Sequence, residues 1–465
     1  MSTDNQGEAP LYSLLCSEAS RHAARFHMPG HKLEPPLRVS GRFDGAMSLD
    51  FTELSATGNL FEGTGPIRAA EKLMARAYFA DDCMFLTGGA TLGVQAACAY
   101  FAKSGSRVIA DRGCHKSLYN VCSLLDLHPE FIYPKRIGAY NISSGITPAE
   151  VADMLDTVPN AAFVIVTSPT YFGVMLDIGG ISRVCREHGV PLIVDEAHGA
   201  HLPFAGVKNA AASGADISVC SMHKTLPVLG GGALLLTGVG VDMRRVRKCA
   251  SMFGSSSPSY AVMASMDFAR AALLTEAGAE ASRFASASAA KIRDAVNKKG
   301  VFRALTESEI LSERGFGQDP CRVLICAASG GISGVELERR LADLDIFCEM
   351  SDKCNITLIL TVNDVDKNIE RLIRSLDELA EGLTPSEGYT VSPPPVPCRV
   401  LSMREAAFSE SVTVSIEAAV GRVAAGVVAP YPPGIPVVAP GELIDQKIVA
   451  FLREIDYNVQ VEVTR

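Results

Sequence analysis

The chain has 465 residues, 48% of them apolar and 20% charged, which is enough to bury a large core divided over two or three domains. Its formal charge of −9 argues against nucleic acid as a partner, since phosphate binding needs clustered Lys and Arg, and is compatible with a cationic substrate. The thirteen cysteines are scattered without a Cys-x-x-Cys pair, so neither structural zinc nor a disulfide framework is read from them, and reduced thiols in a cytosolic enzyme are expected.

The opening MSTDNQGEAP is polar and acidic and lacks the basic cap and apolar core of a secretory signal. Residues 1–35 read as an arm. From about Ser48 to Thr237, helical patterns alternate with short apolar runs at 107–111, 163–167, 192–195, 217–220 and 233–236. These predict strands of a mostly parallel sheet covered by helices on both faces, an α/β fold. The Pro-free stretch from Ser259 to Asn297, interrupted only by Gly278, predicts one long helix or two joined ones carrying the chain into a second domain. There, runs at 322–326 and 356–360 predict strands and 369–383 a helix. The prolines from Ser392 to Pro397 predict an extended linker, and Pro430 to Pro436 a stiff loop. The apolar stretch from Ala418 to Val438 is broken by Arg422 and four prolines, which excludes a spanning helix there.

In open α/β sheets, ligands bind beyond the carboxyl ends of the strands. After Phe85 and Leu86 comes Thr87-Gly-Gly-Ala-Thr91, leading into a helical pattern. Its glycines and the helix N-terminus suit a phosphate, unless the segment is only a turn. His115, after the 107–111 run, either stacks on an aromatic cofactor or caps the next helix. Asp195 ends a buried run and needs a partner. A protonated pyridine nitrogen would serve; the alternatives are a helix N-cap or a metal cluster of Asp195, Glu196, His198 and His201. Lys224 follows the next run, beside His223, where a Schiff base wants an amine; alone, it would equally be a surface lysine. Phosphate turn, ring-stacking candidate, strand-end Asp and strand-end Lys stand in the order of a pyridoxal-phosphate enzyme, and this weighs the pyridinium above the metal.

Longer motifs sharpen this. FHMPGHK at 26–32, GPI at 65–67, CHKS at 114–117, TSPTYFG at 167–173, DEAHGAH at 195–201, SMHKTL at 221–226, SPSY at 257–260, and YPPGIP at 431–436 through PGE at 440–442 together resemble the ornithine, lysine and arginine decarboxylase family over almost the whole chain. The resemblance implies a fold type I pyridoxal 5′-phosphate enzyme: a large domain with a seven-stranded-type, mostly parallel sheet at 36–275, a small α/β domain at 276–391, and a further domain at 392–465. It implies decarboxylation of lysine, arginine or ornithine to a diamine or agmatine and CO2, a step of polyamine formation. Lys224 resembles the lysine that carries the cofactor, Asp195 the partner of the ring nitrogen, and His115 the residue stacked on the ring. Ala90, Thr91, Ser221 and His223 resemble phosphate contacts, and His198 lies near cofactor and substrate. Lys224 or His198 would return a proton to the α-carbon. The shared active site of this fold implies a homodimer or dimer of dimers in the cytoplasm, with His27 and His31 of the arm serving the neighbouring subunit. The large N-terminal wing of the inducible bacterial enzymes is absent. No metal is implied.

Three departures bear on the substrate. Thr57-Gly58-Asn59 and Phe61-Glu62 replace an expected Asp and histidines, Gly230-Gly231-Gly232 stands where relatives carry Ser, Thr or Gln, and Ala90-Thr91-Leu92 replaces a hydroxyl-rich run. Glu53, Glu62 and Glu442 are the acidic candidates for reading an ammonium or guanidinium. An altered pocket points alternatively to a pyridoxal-phosphate reaction on another amino acid. A third reading is a silent relative acting as a binding or regulatory partner.

Overall fold

The computed structural model describes residues 6–21, 23–34, 41, 43–388, 391–430 and 434–465. It divides into two compact units, the first made of the described residues up to Tyr100 with Ile193–Phe284, the second of Phe101–Leu192 with Ala285–Arg465.

Helix α1 (Pro10–Ser20) begins with proline, whose missing N–H costs nothing in a first turn. It is followed by α2 (Gly65–Ala77), β1 (Asp82–Leu86) and α3 (Gly89–Phe101). Next come β2 (Arg107–Asp111), α4 (Lys116–Leu125), β3 (His128–Ile132) and β4 (Val164–Thr167). The chain continues through β5 (Leu192–Asp195), β6 (Ile217–Cys220), the single turn α5 (Met222–Thr225) and β7 (Ala233–Thr237). The apolar runs expected to be strands are strands to within one residue. Their side chains are buried along nearly their whole length, as a sheet covered on both faces requires.

These strands form a mostly parallel seven-stranded sheet. Within the first unit the order is β1-β7-β6-β5, with β7 antiparallel to both neighbours and β5 parallel to β6. Within the second, β2 lies parallel to β3 and to β4. After α6 (Met243–Phe253), the long Pro-free stretch is two joined helices, α7 (Tyr260–Leu273) and α8 (Glu276–Lys299). The break falls at Thr275, whose Oγ1 accepts the Gly278 N–H at 3.1 Å. A Cβ on Gly278 would lie 2.3 Å from the Ala272 carbonyl oxygen, so the glycine permits the tight join.

The second unit adds an antiparallel sheet of β8 (Arg303–Ala304), β9 (Arg322–Cys326), β10 (Met350–Ser351) and β11 (Asn355–Ile359), in the order β8-β9-β11-β10. Helix α9 (Asp366–Leu379) packs Ile369, Leu372 and Leu376 into the same cluster as Val323, Ile325 and Ile356. The linker residues 391–398 carry no regular structure. Beyond them are α10 (Met403–Ala407), β12 (Ser411–Ser415), α11 (Gln446–Glu454) and β13 (Gln460–Thr464), the two strands being paired antiparallel. Of the expected stiff loop, Tyr431, Pro432 and Pro433 lie outside the described residues, as do residues 1–5, 22 and 35 of the arm. Among the described residues, no helix is long and apolar enough to cross a membrane.

Candidate active site

In the first unit, β5 and β6 end in parallel, with Asp195 in register with Val219. Asp195 is buried, and its Oδ1 accepts the Ala197 N–H at 3.1 Å. Among the described residues this is the one hydrogen bond of its side chain, which has no ion pair, so a buried carboxylate is left wanting a cation. The next residue differs. Glu196 accepts the Ala210 N–H at 2.8 Å through Oε1 and the Cys220 thiol at 3.3 Å through Oε2. Burial pushes its carboxyl up to about 8, against the lowering effect of those two hydrogen bonds, so at neutral pH it holds its proton. Asp195 then stands beside a neutral neighbour.

The loop after Asp195 is tied down by its own backbone. Glu196 N–H donates to Val219 O at 2.9 Å, Gly199 N–H to Glu196 O at 2.8 Å, and the Tyr78 hydroxyl to Ala200 O at 2.7 Å. This holds the buried His198 with its Nε2 3.4 Å from the Nζ of half-buried Lys224 on α5. Sequence reasoning named Asp195, His198 and Lys224. It missed Glu196 as the strut joining the two strand ends; an acid beside Asp195 in a buried segment was the available signal.

The Thr87-Gly-Gly-Ala-Thr91 segment passes from β1 directly into α3, so Ala90 and Thr91 lie in the first helical turn, where backbone N–H groups are unpaired by the helix. The glycine run at 230–232 supports this turn. Gly89 N–H donates to Gly231 O at 2.9 Å, and Gly232 O accepts both His223 N–H at 3.2 Å and His223 Nδ1 at 2.9 Å. Gly231 has φ +88, and a Cβ there would lie 3.0 Å from Thr87 O. The departure seen in the sequence thus brings the turn with Ala90 and Thr91 to the His223 segment. Ser221 is buried and makes no side-chain cap to α5.

The second departure is also built on backbone contact. Gly58 has φ +80, a Cβ there would lie 2.3 Å from Thr64 O, and its carbonyl accepts the Tyr260 hydroxyl at 2.6 Å. Glu53 Oε2 accepts the Thr52 hydroxyl at 3.2 Å, and Glu62 is exposed on the same loop. In the arm, His31 Nε2 is 3.2 Å from Asp50 Oδ2, and His27 Nδ1 meets the neighbouring Met28 carbonyl.

His115 and Glu442 belong to the second unit. His115 caps α4, its Nδ1 accepting the Ser117 N–H at 3.2 Å. This fixes the ring by one edge. Glu442, expected to read a cationic substrate, is engaged instead by Arg112 in a bidentate pair at 2.7 and 2.9 Å. The alternative metal cluster does not assemble: Asp195, Glu196, His198 and His201 do not bring three ligand atoms together. The donor set fits pyridoxal phosphate instead. An amine, an unmatched buried carboxylate and a glycine-lined helix start stand at the carboxyl ends of β6, β5 and β1.

The family model described as "Orn/Lys/Arg decarboxylase, major domain" matches residues 9–368, and its C-terminal domain model matches 389–460. The arginine decarboxylase of Halalkalibacterium halodurans is 32% identical over 97% of this chain and 94% of its own. That of Bacillus subtilis is 32% identical over 98% and 96%. The lysine decarboxylase structure of Francisella novicida superposes with a TM-score of 0.84 at 18% identity, over 99% of this chain and 82% of that one, a likeness of fold. Matched along both its major and C-terminal parts, the chain belongs to the Orn/Lys/Arg decarboxylase family and has the fold of type I pyridoxal-phosphate enzymes.

Proposed function

We propose that the protein decarboxylates arginine, giving agmatine and CO2. The observation that carries the choice of substrate is the full-length similarity, at 30–32% identity, to several proteins named arginine decarboxylase. The cofactor of the family is pyridoxal 5′-phosphate. When bound, it supplies an electron sink for the pair left on the α-carbon by departing CO2.

The residues of this chain do the rest. Lys224 Nζ would hold the cofactor. Asp195 would favour a proton on the ring nitrogen, and the neutral Glu196 beside it adds no competing charge. The backbone N–H of Ala90, with Thr91, Ser221 and His223, would hold the phosphate, and His115 is the residue proposed to face the ring. Lys224 Nζ or His198 Nε2, 3.4 Å apart, delivers a proton to the α-carbon. Glu53 and Glu62 are the proposed readers of the guanidinium; Glu442 is set aside because Arg112 already matches its charge. The enzyme is proposed to be a cytoplasmic homodimer or dimer of dimers, the arm with His27 and His31 serving the neighbouring subunit.

The test is an absorption spectrum of the protein purified with pyridoxal phosphate, together with CO2 release from arginine, lysine and ornithine in parallel. A visible band and release chiefly from arginine are expected, and Lys224→Ala should abolish the band and lower release by about a thousandfold or more. Release from lysine or ornithine instead would overturn the substrate, a band without release the reaction, and no band the whole reading.

A further inference from the structure

The segment matched by the C-terminal family model grips α4 of the second unit at both ends, first through the turn that leads into it. At the first end, Arg112 stands between Asp111, which closes β2, and the Gly113-Cys114-His115 turn. Its guanidinium donates to both oxygens of Glu442 at 2.7 and 2.9 Å and to Val437 O at 2.9 Å. Glu442 Oε2 also accepts the Ala439 N–H at 2.7 Å. The side chains of Arg112 and Glu442 are only 8% and 2% exposed, and the guanidinium lies 4.8 Å from the centre of the Phe131 ring. The Arg112 backbone is fixed as well: its N–H donates to Ile132 O at 2.9 Å, and its carbonyl accepts the Tyr119 hydroxyl at 2.8 Å. At the other end of α4, Arg404 donates to the carbonyls of Leu124 at 2.9 Å and Ser123 at 3.4 Å, where a helix favours a cation.

A buried fork-to-fork pair is directional. Against apolar residues of the same size it contributes little net stability; what it supplies is geometry. Here the geometry is that of the Arg112 backbone, and so of the turn that ends in His115. The His115 ring is in turn held by one edge through Ser117.

We propose that Glu442 is a positioning residue for His115, acting through Arg112, so that the C-terminal segment aims the histidine that covers the cofactor ring. This rests on the reading of His115 given under Proposed function. It gives the PGE motif a role in cofactor retention, in place of the substrate recognition first expected of it.

The experiment is a double-mutant cycle on cofactor retention. The holoenzyme and its Glu442→Gln, His115→Ala and doubly substituted forms are dialysed, and the pyridoxal phosphate retained is read from the visible band against free cofactor. Glu442→Gln, losing one charged hydrogen bond, is expected to weaken retention roughly tenfold, and the double variant to be no weaker than His115→Ala alone. Tyr119→Phe, which spares the ion pair and frees the Arg112 carbonyl, should act in the same direction; it replaces Glu442→Gln in the cycle should that variant not fold. Effects that multiply in the double variant, or unchanged retention in Glu442→Gln, would overturn the inference. An unchanged His115→Ala would remove both it and the ring-face reading, while a Lys224-dependent band in the same protein would leave the cofactor reading standing.

Discussion

Glu71–Arg247 in the first unit and Glu442–Arg112 in the second are built alike, and they differ in what each can do when its partner is lost. In both, a buried carboxylate faces a guanidinium that also donates to a loop carbonyl, Leu60 O at 2.6 Å in one and Val437 O at 2.9 Å in the other. Burial raises the pKa of Glu71 and outweighs the attraction of Arg247. For Arg112 burial works the other way, but Tyr119 and Glu442 more than offset it, and its pKa is raised. A carboxyl can take up a proton and become neutral; a guanidinium cannot give one up. The cost of breaking each pair therefore depends on which half remains.

The largest effect is expected from Glu442→Ala, which leaves the Arg112 charge buried: about 3–5 kcal/mol of unfolding free energy, read by denaturant titration. Arg247→Met should cost less, about 1–3 kcal/mol, because Glu71 still has Arg68 at 3.7 Å and can protonate while keeping the Phe85 N–H at 3.0 Å. Its cost should grow with pH, since protonation becomes harder. An Arg247→Met loss as large as that of Glu442→Ala, and flat with pH, would break the comparison. Glu196 sharpens it, being a buried carboxyl with no guanidinium at all. Its folded pKa, about 8 against an ordinary 4.5, means that the folded state keeps a proton the unfolded chain has released. Stability from this group is thus fully present below the lower value and is lost as pH rises toward the upper one, by about 1.4 kcal/mol per pH unit. Glu196→Gln, which keeps an acceptor for Ala210 and stays neutral, should remove that slope. An unchanged slope would show that Glu196 is ionised in the fold.

Strands were legible because their apolar runs are short, β-branched and bounded; Asp195 stands out in the sequence by ending such a run and Lys224 by following one. Other features were not. β3 (His128–Ile132) carries Pro129 and alternates in burial, which hides it among loop residues; β12 and β13 alternate too, exposing Ser411, Thr413 and Ser415 in one and Gln460 and Glu462 in the other. The Arg112–Glu442 pair spans 330 positions, so no local pattern announces it, and Glu442 alone read as a free acid. Gly230-Gly231-Gly232 stands out in the sequence only by lacking the Ser, Thr or Gln of relatives, whereas its carbonyls hold Gly89 and His223. An absent side chain does not say which backbone fills the space.

That contact limits how the protein could be rebuilt from its relatives. With φ +88 and 3.0 Å between a Cβ at 231 and Thr87 O, a transplanted hydroxyl or amide side chain at this position would strain the backbone and crowd the turn at 87–91. The two segments, far apart in the chain, form one exchangeable module. A chimaera that takes 230–232 from a relative while keeping its own 87–91 should refold with a distorted turn at 87–91, and one that swaps both together should retain that turn's geometry.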